Sequence, residues 1–375
     1  MNSLSLILCL FTSSILAAPI PPQARQFASP DLPRLILYHQ TTHDPAGRPI
    51  SLLPLITKQH IALTHLIVGA FHLNANHTIH LNDHPPSHPM FYTLWNETRL
   101  LQNAGIKVLG MVGGAAPGSF ASDTLDAGVS SPPPASFETA YGLLHNTVTT
   151  HHLDGLDLDI EEPTTQPGIT SLIHRLRADF GPSPGFTLTL APVATALLAD
   201  GRSNLSGFNY TALDAEAGAL IDFYNAQFYN GFGGPGVFDG TVANGFAPGR
   251  VVVGQLTSPA LGGGFVGHQG LRETVDVLRG RYGEIGGVAG WEYFDGVPGG
   301  VEEPWRWAEE MTRVLRGGYG VGRLGISREV AEGLERAWEE SAKAGMGEGR
   351  GDGTAERWMG MGKEMGVDYM AMVEE

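Results

Sequence analysis

The stretch Leu153-Asp154-Gly155-Leu156-Asp157-Leu158-Asp159-Ile160-Glu161-Glu162-Pro163 decides how this chain folds. Alternate side chains of a strand share a face, so Asp157, Asp159 and Glu161 line up while Leu156, Leu158 and Ile160 face another layer. A solvated acidic edge would not need uniformly apolar residues between the acids. Three carboxyls stacked on an inward face repel, so one or two hold protons and the pKa of at least one rises. A general acid is kept protonated near neutral pH in that way. Pro163 ends the pairing and sets Glu161 at the C-terminal end of the strand. A cation site is the competing reading, but the 14 histidines are scattered and no HExxH occurs. No metal and no cofactor is expected.

Similar apolar runs recur on both sides: Leu35–Tyr38, Leu66–Phe71, Val108–Val112, Leu153–Ile160, Phe186–Leu190, Ile221–Phe228, Val251–Leu256 and Gly287–Phe294. Their starts lie roughly 30 to 45 residues apart, the scale of a βα unit with elaborated loops. Helical spacing appears between them in Phe137, Tyr141, Leu144 and Val148, in Ile169, Leu172, Ile173 and Leu176, and in Leu271, Val275, Leu278 and Tyr282. Eight strands with intervening helices predict an α/β fold, a (β/α)8 TIM barrel over residues 34–316, closed by a helix around Trp305–Leu315. A doubly wound open sheet would usually use fewer strands. Gly113-Gly114, Gly231 to Gly234 and Gly262 to Gly264 lack the GxGxxG or GKS/T context of nucleotide loops and read as loop glycines. On a barrel, Glu161 sits at the mouth where active sites form.

The ends differ in composition. Leu4–Leu16 is uncharged, too short to span a bilayer, and followed by Ala17 and Ala18, so residues 1–18 read as a signal peptide. A Pro-rich leader fills 19–33, and a Gly/Glu/Met-rich C-terminal extension fills 317–375. Ile326, Val330, Leu334 and Trp338 predict one amphipathic helix in that extension; Trp358, Met361, Met365, Tyr369 and Met372 suggest another. The only cysteine, Cys9, leaves with the signal, so no disulfide framework is expected. Sequons at Asn76, Asn96, Asn204 and Asn209 accord with a secreted, extracellular glycoprotein. The 375 residues carry 23 Lys+Arg against 39 Asp+Glu, a net charge of −16 with no basic block. Nucleic acid and anionic membranes need local positive charge and are excluded as partners. A neutral substrate such as sugar, met by a soluble monomer, suits this chain.

Asp154 to Glu162 resembles the DxxDxDxE signature of family-18 glycoside hydrolases. Three further segments follow that family's order. Lys107 to Gly114 resembles the third-strand SxGG motif, Gln227-Phe-Tyr229-Asn230 the sixth-strand Gln-x-Tyr-Asn motif, and Gly287 to Trp291 the eighth strand with its sugar-floor tryptophan. From Leu32 to about Leu315 the chain is similar to the fungal Endo T-type endo-β-N-acetylglucosaminidases, in segments such as LPRLILYHQTTHD, GMVGGAAPGSF and GWEYFDGVPGG. The resemblance implies substrate-assisted retaining hydrolysis, an exception to the two-carboxylate rule. Glu161 then serves as acid, Asp159 orients the 2-acetamido nitrogen, Asp157 shares a proton with Asp159, and Tyr229 donates to the acetamido oxygen. Gln227, Asn230, Gly113 and Gly114 line the site and Trp291 lies under the sugar ring. Tyr38 and Phe71, at the ends of the first two strands, are expected to close the floor. One departure stands out: Met111 replaces the serine that supports the first inward aspartate in chitinases, so Asp157 must find another partner or sit more neutral. The implied substrate is the GlcNAc-β1,4-GlcNAc core of an Asn-linked glycan; chitin is the alternative, and a non-catalytic carbohydrate binder the third reading.

Overall fold

A computed structural model describes residues 33–201, 204–231 and 233–316, together with 332–334, 336 and 340. The segments expected to be signal peptide and leader lie outside the described residues apart from Pro33, as does most of the C-terminal extension. Within the extension, Leu334 is helical and buried.

Short apolar runs become strands here because their residues alternate between two packed layers. In β1 (Arg34–His39), Leu35 and Leu37 join the outer core while Ile36 and Tyr38 join a second, inner cluster. The strands that follow are β2 (His65–Asn74), β3 (Thr78–Leu81), β4 (Lys107–Gly113), β5 (Gly155–Asp159), β6 (Thr187–Leu190), β7 (Phe223–Gln227), β8 (Val251–Leu256) and β9 (Gly287–Trp291). All except β3 are parallel to their neighbours, and β1 pairs with both β2 and β9, which closes an eight-stranded barrel. Around it stand α1 (Pro54–Thr57), α2 (Tyr92–Asn103), α3 (Ala135–Thr150), α4 (Gln166–Phe180), α5 (Tyr210–Ala217), α6 (Pro235–Ala243), α7 (His268–Tyr282) and α8 (Arg306–Arg316). The fold is the expected (β/α)8 barrel.

Helix α4 illustrates how sequence builds the outer layer. Thr165 caps it by accepting the Gly168 N–H, a proline sits in its first turn, and Gly181 ends it at φ 76°. Ile169, Leu172, Ile173 and Leu176 form one stripe buried with Leu156 and Leu158 of β5. Each contributes about 1.5–3 kcal/mol by leaving water.

Several strand boundaries and one phase differ from expectation. Strand β5 starts at Gly155, because the Asp154 carboxylate turns to accept N–H bonds from Val108 (2.8 Å) and Gln102 (2.8 Å). It ends at Asp159, so Glu161 lies two residues beyond the paired strand. The eighth barrel strand ends at Trp291, and Tyr293–Asp295 forms a 3-10 turn. Strand β2 carries one extra residue between Val68 and Phe71 relative to β4. A two-residue period from inward Ile67 would send Phe71 inward; the bulge inverts that phase. Strand β3, which nothing in the apolar spacing announced, pairs antiparallel with β2.

Candidate active site

The inner face of β5 presents Asp157 at the bottom and Asp159 above it, 0% and 6% exposed. Burial pushes the Asp157 carboxyl above the usual carboxylate range. Its oxygens are met by three strands: the Tyr38 hydroxyl of β1 donates to Oδ2 (2.7 Å), while the Thr189 hydroxyl of β6 (2.5 Å) and the Asn225 amide of β7 (3.0 Å) donate to Oδ1. Asp157 thus finds its partners on β1, on the neighbouring β6 and on β7. Met111, in register with Asp157 on β4, is itself buried and adds apolar wall. Asp157 was expected to share a proton with Asp159, but its described hydrogen bonds all go elsewhere. The two acids interact through space.

Asp159 is pushed well above the carboxylate range, first by burial and then by the charges of Glu161 and Asp157. The Gln227 amide opposes this: its Nε2 donates to Asp159 Oδ1 (3.1 Å), Glu161 Oε1 (2.9 Å) and the Ala191 carbonyl (3.1 Å). One amide thus ties the half-buried Glu161 to the buried Asp159. Tyr229 is half-buried beside them. Burial and the three nearby acids raise its pKa, so its hydroxyl stays protonated and able to donate. Trp291, half-buried, lies 5.5 Å from the Tyr38 ring and packs against the inner cluster, and these two aromatics form the floor. A cavity of about 10 Å³ remains among Tyr38, Asp159, Asn225, Gln227, Tyr229 and Trp291. That is room for one water molecule or a group of similar size.

Two expected positions, Phe71 and Asn230, lie elsewhere, while Gly113 and Gly114 do pack beside Asp159, a Cβ on Gly114 standing 3.7 Å from its Oδ2. Phe71 is fully buried in the outer layer and stacks on Trp95 of α2 at 6.4 Å, because the β2 bulge turns it away from the mouth. Asn230 is exposed with φ 52°, and its Oδ1 accepts the Gly263 N–H (3.0 Å), so it fastens the loop after β8. Gly113 and Gly114 pack on the backbone of β5. A Cβ on Gly113 (φ 97°) would stand 2.3 Å from the Asp159 carbonyl oxygen, and the Gly114 N–H donates to that oxygen (2.8 Å). The four sequons also differ in setting. Asn76 is exposed at the β2–β3 turn, Asn96 lies on α2 with Thr98 buried, Asn204 donates its amide to the Phe208 carbonyl (2.5 Å), and Asn209 caps α5.

Sequence reasoning passed over Thr189 and Asn225, although their strand parity marks them: Asn225 shares a face with Gln227. It also passed over Glu292, whose buried carboxylate accepts the N–H groups of Gln40 (2.9 Å) and Thr41 (2.7 Å). That carboxylate pins the β1 loop beside Trp291. Next to this loop runs an open groove of about 730 Å³, bordered by Gln40, Thr42, His43, His72, Asn82 and Asp83. Amides, hydroxyls and imidazoles of this kind bond sugar hydroxyls. Among the described residues, no group of three or more His, Cys, Asp or Glu is placed to hold a metal ion.

The family profile for glycosyl hydrolases family 18 matches residues 34–258. A fungal endo-β-N-acetylglucosaminidase of glycosyl hydrolase family 18 is 57% identical, with a TM-score of 0.73 over 77% of this chain and 100% of its own. A chitinase from Aspergillus fumigatus is 45% identical, with a TM-score of 0.66 over 74% of this chain and 98% of its own. A family-18 chitinase from Pseudoalteromonas aurantia, 21% identical with a TM-score of 0.58 over 75% of this chain and 100% of its own, shares the fold. No curated protein sequence matches the chain.

Proposed function

Because the chain belongs to glycosyl hydrolases family 18 and is a glycoside hydrolase, we propose that it is a secreted endo-β-N-acetylglucosaminidase that cuts the GlcNAc-β1,4-GlcNAc bond of Asn-linked glycan cores. The observation that carries this reading is the Gln227 bridge between Glu161 and Asp159 beside the Tyr229 hydroxyl. Glu161 gives its proton to the glycosidic oxygen as the C1–O bond breaks. The carbonyl oxygen of the substrate's own 2-acetamido group attacks C1 and forms an oxazolinium ion. Water then opens that ring at C1 and returns its proton to Glu161, with net retention. The Asp159 carboxylate is destabilised by burial and by its two acidic neighbours, and the positive charge developing on the oxazolinium relieves that destabilisation with no proton moving. An interaction stronger in the transition state than in the ground state is one that accelerates the reaction. Tyr229 holds the acetamido oxygen, and Trp291 carries the ring.

The 57% identity to a fungal endo-β-N-acetylglucosaminidase supports the glycan-core substrate, and the polar groove beside the β1 loop offers hydrogen bonds to a branched arm. The 45% identity to a chitinase favours chitin as the second reading. Incubation with a high-mannose glycoprotein and, separately, with chitin oligomers decides between them by mass spectrometry. The expected outcome is a glycoprotein reduced to one GlcNAc per site and chitin oligomers left nearly intact. Glu161→Gln keeps the side chain's size but cannot deliver the proton, which should cost about 10²–10⁴-fold or more. Rapid cleavage of chitin beside an untouched glycoprotein would make the enzyme a chitinase.

A further inference from the structure

The chain carries two successive glutamates after β5, and their side chains do different work. Glu161 turns to Gln227. Glu162 turns to the loop after β4, where its Oε2 accepts the Gly118 N–H (2.8 Å) and its Oε1 the Phe120 N–H (2.7 Å). The same loop is tied to β5 at its other end, where the Gly114 N–H donates to the Asp159 carbonyl (2.8 Å). The Phe120 ring closes the circuit, since a Cβ on Gly113 would meet it at 2.6 Å. On the opposite side, the buried Ser206 hydroxyl donates to the Ile160 carbonyl (2.6 Å) and the Thr164 N–H to the Ser206 carbonyl (2.9 Å).

Glu161 therefore sits on backbone that has left the sheet ladder, held by substitutes for the lost strand pairing. Carboxylate–amide bonds are stronger than neutral ones, and two from one side chain fix direction as well as distance. We propose that Glu162 is a positioning residue that sets the reach of the Glu161 carboxyl toward the leaving oxygen by stapling the 159–162 segment to the β4 loop. This rests on the reading of Glu161 as the acid. Proton delivery tolerates little misplacement, because the donor must come within about 2.6–3.2 Å of the accepting atom.

The test compares Glu162→Gln, which keeps one acceptor, with Glu162→Met, which keeps none. Two substrates are used: the natural glycopeptide, and the same glycan ending in GlcNAc bonded to 4-nitrophenol. Nitrophenolate leaves without help from an acid, whereas a sugar hydroxyl does not. On the glycopeptide, kcat per folded molecule should fall about tenfold in Glu162→Gln and about a hundredfold in Glu162→Met. KM should stay within about threefold of wild type, and turnover of the nitrophenyl glycoside should be largely retained. Rates are normalised to folded protein by thermal melting, and if the methionine variant fails to fold the glutamine variant carries the test. Equal losses on both substrates, or no loss on either, would overturn the proposal. Glu161→Gln is the control: it must lose the glycopeptide far more than the nitrophenyl glycoside. If it does not, the assignment of the acid fails rather than the role of Glu162.

Discussion

Replacing Gln227 by Met keeps the length and most of the volume of the side chain and removes its amide. In the wild type that amide reaches Asp159 at 3.1 Å and Glu161 at 2.9 Å in a site where Asp159 is almost fully buried. A hydrogen bond to a charged group is worth about 1.5–3 kcal/mol. Losing one such bond at the transition state lowers kcat/KM by roughly 10- to 150-fold. The same bond draws the Asp159 pKa downward against burial and its two acidic neighbours. Without it the carboxyl holds its proton to still higher pH, so the acid limb of the pH profile must move toward alkaline pH. The shift is about one unit for each 1.4 kcal/mol lost. Measuring kcat/KM for a glycopeptide between pH 4 and 8, with melting curves to confirm folding, tests both consequences. A loss below about threefold with an unmoved acid limb would refute the bridging role.

Other perturbations have equally definite signs. Asp159→Asn should be a poor hydrolase that still transfers a preformed sugar oxazoline to an acceptor, because the oxazoline already contains the intermediate whose formation needs the carboxylate; equal loss of both activities would sink the acetamido-assisted route. Gly113→Ala adds a methyl 2.3 Å from the Asp159 carbonyl in a backbone region that L residues avoid, so it should lower Tm by several degrees and depress kcat; an unchanged melting curve would count against the close packing. Glu97 of α2 is fully buried, accepts from Ser51 (3.1 Å) and the Leu52 N–H (2.5 Å), and burial pushes its pKa from 4.5 up to about 8. An acid whose folded pKa lies above its unfolded value loses stabilisation as pH rises between the two. Wild-type stability should therefore fall from about pH 5 to pH 8 on account of this group, and Glu97→Gln should flatten that slope; identical slopes in urea titrations would exclude the assignment.

The barrel and the line of acids were legible because both rest on short-range pattern. Period-two alternation in Ile36–Tyr38, Leu156–Asp159 and Asn225–Gln227 is imposed by the pleat itself, whatever surrounds the strand. Helical stripes such as Ile169–Leu176 obey the same locality. The role proposed for Glu161 comes from the resemblance to a long motif, and the structure separates that residue from its neighbour by sending Glu161 to Gln227 and Glu162 to the Gly118 and Phe120 N–H groups.

What remained hidden depends on contacts between distant segments. Parallel strands join through crossovers, so the donors around Asp157 come from Tyr38, Thr189 and Asn225, separated from it by 119, 32 and 68 positions. Nothing near Met111 announces them. One extra residue in β2 swings Phe71 from mouth to outer core, and a bulge is defined only against the partner strand, here β4. Asn230 is likewise claimed by Gly263, a residue on the next loop. Local alternation could set which face each acid takes; only closure of the barrel could decide which groups meet it there, because that choice is made by register between strands rather than by spacing along one.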